Sequence, residues 1–84
     1  MSQRTKDEEL SDYLKAGNYL KKDGWLKPMH VYYNPNTEMV EFRDYVVTQS
    51  GNRVLCVREK YASLDAVPYV GEWVKCNEHG EDIE

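Results

Sequence analysis

The residues able to do chemistry in this chain are few: His30, His79, Cys56, Cys76 and scattered carboxylates. A nucleophile needs a base, and a thiol becomes a good nucleophile beside a cation or at a helix N-terminus. Neither cysteine lies near the one helix start that the sequence predicts. Cys56 alternates with Val54 in a strand-like segment, the pattern of a small buried hydrophobe. The segment Cys76-Asn77-Glu78-His79 has the C-x2-H spacing of a ligand pair, and with Cys56 and His30 it suggests a tetrahedral zinc site. The signal is weak, because Cys56 has no partner within four residues and structural sites draw their ligands in pairs from tight turns. A disulfide between Cys56 and Cys76 is geometrically conceivable, but the first strongly apolar residue after Met1 is Leu10 and the stretch between is charged, so no secretory leader is expected. The thiols are therefore expected to be reduced and the protein cytoplasmic. The five glycines are never closer than seven residues apart, so no phosphate-cradling loop exists. No catalytic residue, metal or cofactor is assigned.

Aromatic residues are the least ordinary feature: seven Tyr and two Trp stand beside a single Phe. Tyr and Trp combine a large rigid ring with a polar tip, which is what interfaces favour. Trp25, Tyr32, Tyr45, Tyr69 and Trp73 are the candidate partner-binding residues. The same rings, with Arg43, Arg53, Arg58 and Lys60 of the central hairpin, could instead stack on single-stranded nucleic acid.

Charge bears on that choice. The chain has 84 residues and a net charge of −4. Glu78, Glu81, Asp82 and Glu84 hold four of its fifteen acids and none of its eleven bases, so residues 1–76 are formally neutral. The bases are interleaved with acids, and binding driven by phosphate neutralisation is not favoured. Residues 77–84 read as an acidic, frayed tail on a single compact domain of residues 1–76. No apolar run approaches the roughly 18 residues of a spanning helix.

The elements that must position these residues follow from periodicity. Thr5 and Glu8 have capping-box spacing, and Asp7, Glu8 and Glu9 precede Lys15, Lys21 and Lys22, an order that complements the helix dipole. Leu10, Tyr13, Leu14, Gly17 and Leu20 form one stripe, which predicts a helix running to a stop at Gly24, with Pro28 preventing a restart. From Met29 the period becomes 2. Strands are expected at 29–33, 39–48, 53–61 and 69–76, with a turn at Asn34-Pro35-Asn36-Thr37. A three-residue loop at Ser50-Gly51-Asn52, Asn52 taking the left-handed conformation, sets Asp44 opposite Arg58, Arg43 opposite Glu59 and Val47 opposite Leu55, pairing opposite charges.

The expected fold is α+β: one N-terminal helix packed on a twisted antiparallel sheet of about four strands. The expected core is Leu10, Leu14, Leu20, Val31, Val46, Leu55, Val57, Val74 and some of the aromatics. The second strand is apolar on both faces, so the face away from the helix needs a cover. A curl toward a small barrel, the 62–68 loop, or a partner, including a second copy of the chain, could supply it. The resulting expectation is a small non-enzymatic protein-interaction module, a regulator or inhibitor of the adaptor, antitoxin or phage-inhibitor kind. A single-stranded nucleic-acid-binding domain is the alternative.

Overall fold

A computed structural model describes residues 5–26 and 29–83. Pro28 and Glu84 lie outside the described residues. The chain forms helix α1 (Lys6–Lys15), strands β1 (Tyr19–Lys22), β2 (His30–Asn34), β3 (Met39–Val47) and β4 (Arg53–Tyr61), a 3₁₀ turn at Leu64–Ala66, and strand β5 (Trp73–Cys76). The five strands make one antiparallel sheet in the order β4-β3-β2-β1-β5, open at both edges. The architecture is α+β, with the N-terminal helix packed on β1 and β2. The sheet has five strands rather than four and does not close into a barrel.

The additional strand, β1, comes from residues expected to be helical. Thr5 caps α1 as its spacing predicts, its hydroxyl accepting the Glu8 amide at 3.1 Å. The helix ends at Lys15, because Gly17 adopts φ +97°, a left-handed conformation that glycine enters without the Cβ penalty. The Gly17 amide closes the end on the Leu14 carbonyl. Gly17, and not Gly24, is therefore the stop. Leu20 fits the helical stripe by spacing, yet it reaches the same core from β1, paired with Val31.

The core lies between α1 and one face of the sheet: Leu10, Leu14, Leu20, Val31, Val40, Phe42 and Val67 are buried there. Leu64 and Val67, from the segment after β4, close its side. Among the described residues, no helix is long and apolar enough to cross a membrane.

The hairpin register differs from the charge-based expectation. Val47 faces Arg53, Tyr45 faces Leu55 and Asp44 faces Cys56, with Thr48–Asn52 as the loop. The loop is closed by Thr48 N–H to the Asn52 carbonyl (2.8 Å) and Gly51 N–H to the Thr48 carbonyl (2.9 Å). Gly51, at φ +86°, takes the left-handed position expected of Asn52. Backbone closure of the loop outweighs the few tenths of a kcal/mol that surface charge pairs contribute. The ladder then slips by one residue between Phe42 and Arg43, leaving Arg58 as the extra residue of a bulge on the edge strand.

Residues 77–82, expected to fray, fold back instead. The Asn77 side-chain carbonyl accepts the His79 and Glu81 amides at 2.8 and 2.9 Å, and Asp82 bridges to Cys76. An Asn two residues ahead of the amide it binds is a local turn former, which is why this polar segment holds a shape.

Candidate functional site

The five candidate partner-binding rings do not converge. Phe42, Tyr69 and Trp73 gather around Trp25 on the helix side of the sheet, at 5.0, 5.5 and 5.9 Å from its ring. Trp25, Tyr69 and Trp73 are half-buried and pack against the core. Lys22 sits 4.1 Å above the Trp73 ring. Tyr32 and Tyr45 belong to the other face, where strand alternation and register also place Tyr19, Lys21, His30, Glu41, Arg43 and Cys76. There Tyr32 is flanked by Tyr19, stacked at 5.4 Å, and by the Arg43 guanidinium at 4.1 Å. Tyr45 is flanked by Arg53 at 4.9 Å and the His79 ring at 6.5 Å. Groups of the chain itself thus lie where a stacked base would have to lie.

The thiols and imidazoles are held apart. Cys56 is on one edge strand and Cys76 on the other, separated by three intervening strands. At about 4.8 Å per strand spacing that is roughly 19 Å, far beyond a disulfide or a shared zinc ion. Both cysteines are free. Among the described residues, no group of three or more His, Cys, Asp or Glu is placed to hold a metal ion. Cys76 is only 2% exposed, and burial, opposed by Lys21 and reinforced by Asp82, pushes its thiol up to about 11. His30 is fully buried, its ring edge against Tyr19.

Buried polar side chains that spacing did not single out organise the second face. Lys21 is 6% exposed, its ammonium donating to the Gly80 carbonyl at 3.0 Å and pairing with Asp82 at 2.8 Å. Glu41, also buried, accepts from Asn34 (3.0 Å) and Arg43 (3.1 Å). Burial alone would raise the Glu41 carboxyl. The hydrogen bonds from Asn34 and Arg43, with the charges of Arg43 and Lys60, hold it below the usual range instead. On the helix side Glu59 accepts from Tyr61 and Tyr69. Burial, then those neighbours, pushes the Tyr61 hydroxyl far above its ordinary value. These groups are occupied in satisfying one another, which is a structural task. The C-terminal turn lies over the same face through Lys21 and Tyr45, covering part of the surface left open by the single helix.

What remains uncovered is the distal hairpin. β2 pairs with β3 only as far as Arg43, so residues 44–57 continue as a two-stranded arm. The molecule has a long axis of 56 Å against 29 and 22 Å, and a radius of gyration of 13.4 Å where a compact chain of this length has about 12 Å. Val46, Leu55 and Val57, expected in the core, are exposed on it because neither the helix nor another strand reaches that far. With Val47 and Val54 they make five apolar side chains exposed by 39 to 66%. Val46 and Val54 form one side, and Tyr45, Val47, Leu55 and Val57 the other. Asp44 is opposed by Arg58 at 3.9 Å, while Arg53 rests on Tyr45 with no carboxylate partner among the described residues. The signal in the sequence was the apolar character of both faces of β3.

An open groove of about 600 Å³ beside Trp25 and Trp73 carries Lys21 and Lys75 against Asp23 and Asp82 and so selects no ligand charge. No protein-family model, curated protein or solved structure matches the chain.

Proposed function

We propose that this chain is a non-enzymatic protein-interaction module, of the regulator or inhibitor kind, and that the β3–β4 arm is the surface it docks with. The observation that carries this reading is the arm itself: five exposed apolar side chains on a two-stranded ribbon that neither the helix nor a third strand covers. A two-stranded hairpin is marginal in water on its own, and clustered exposed apolar surface marks interaction sites. Arg53, Arg58 and Lys60, with the bulge at Arg58, blunt the β4 edge against strand addition, so the faces of the arm are favoured over its edge. Two free thiols fit a reducing, cytoplasmic setting. The flanking of Tyr32 and Tyr45 by Arg43, Arg53, Tyr19 and His79 weighs against base stacking.

The test compares wild type with Val47→Asp and Leu55→Asp. Both variants should fold, by circular dichroism and a cooperative thermal transition, yet lose a bound protein that wild type retains, with affinity falling by more than about tenfold. Retained binding in both folded variants contradicts the reading.

A further inference from the structure

We infer that the occupant of the arm is a second copy of this chain, the arm of each copy lying on the acidic C-terminal turn of the other. This rests on the reading of the arm as the docking surface and names its partner.

The charges on one face carry the inference. Arg53 leaves the arm's outer side without a carboxylate partner among the described residues. The turn of residues 77–82 presents the converse: Glu78 and Glu81 are exposed, and neither has a Lys or Arg partner among the described residues. The two features share a face and adjoin, because the Tyr45 hydroxyl meets the His79 ring at 3.0 Å. Within one chain, Arg53 stacks on Tyr45 instead of pairing with those acids. In a two-fold pair, whatever one copy's arm touches on its neighbour, the neighbour's arm touches in return. The Arg53 of one copy's arm and the acidic turn of its neighbour therefore satisfy each other twice across the axis.

Apolar contacts point the same way. Val47, Leu55 and Val57 lie on the outer side of the arm with Arg53, and Ile83, just beyond the turn, is half exposed. The arm would meet an apolar residue beside the acids rather than acids alone. Patches this small belong to the weak, reversible class of interface, below about 1,200 Å² in total. The expected state is a monomer–dimer equilibrium governed by concentration, and more sensitive to salt than an apolar contact.

Sedimentation velocity of the full chain, from micromolar to submillimolar concentration at low and high salt, tests this. Wild type should dimerise reversibly, and more weakly at high salt. Arg53→Glu and Glu78→Arg should each raise the dissociation constant about tenfold, and the two together should restore it. A wild type that stays monomeric throughout overturns the inference, as does a dimer indifferent to Val47→Asp and to the charge exchange. If wild type is monomeric but Val47→Asp abolishes binding of another protein, the second copy falls and the arm stands. If Val47→Asp changes neither self-association nor protein binding, both fall.

Discussion

The Tyr45 hydroxyl and His79 Nδ1, 34 residues apart in the chain, meet at 3.0 Å and join the base of the arm to the C-terminal turn. The arm leaves the sheet beyond Arg43, so this contact is one of the few that fix its posture against the body. Its solvent exposure limits what it adds to global stability.

Removing that hydroxyl should loosen the turn without unfolding the domain. Tyr45→Phe is expected to cost no more than about 1 kcal/mol of global stability, the usual net contribution of one hydrogen bond. Amide exchange at His79 and Glu81 should accelerate. Unchanged rates at those two amides would mean that Asn77 and Lys21 hold the turn unaided.

Cys76 should make stability fall in mild alkali. Burial raises its thiol from 9.0 to about 11 in the folded chain. Above pH 9 the unfolded chain releases a proton that the folded chain retains, so this contribution is complete below pH 9 and is lost as pH rises toward 11. Denaturant melts of wild type and Cys76→Ala across that window measure it, and the variant should show a shallower decline. Alkylation should label Cys56 in the native chain and reach Cys76 only on unfolding.

Glu41 works in the opposite sense. Its carboxyl titrates below its unfolded value near 4.5, so its contribution is present above that pH and is lost as pH falls through the lowered folded value. Glu41→Ala leaves the Arg43 guanidinium, itself largely buried, without its carboxylate, and should destabilise the fold by about 3 kcal/mol. Acid unfolding of Glu41→Gln, which keeps the shape but not the charge, should depend less on pH than that of wild type.

The helix cap, the turn at Asn34, and the limits of β4 were legible in the residues because each rests on local chemistry: a Thr hydroxyl, an Asx turn, alternation between turn formers. Strand β1 was not. Its four residues are too short to show a period, and Leu20 satisfies the helical stripe and the strand register alike. The distinction lay in Gly17, whose left-handed φ ends the helix early. The arm was half legible. Apolar residues on both faces of β3 announced a covering problem, but burial depends on how far β2 extends, and alternation alone does not encode that. Lys21 and Glu41 were invisible as buried charges, since their partners Asp82, Gly80, Asn34 and Arg43 are brought together by the sheet and the C-terminal turn.

The most direct test of the arm as a docking surface places a photo-crosslinking amino acid at position 47, and separately at the exposed turn residue Thr37, in the full chain at the concentration and in the extract where it works. Position 47 should yield a discrete protein adduct, either a cross-linked dimer of the chain or a complex with one other protein, and position 37 should not. Absence of any adduct at 47, or an equal spread of adducts at both positions, would contradict the assignment of the arm.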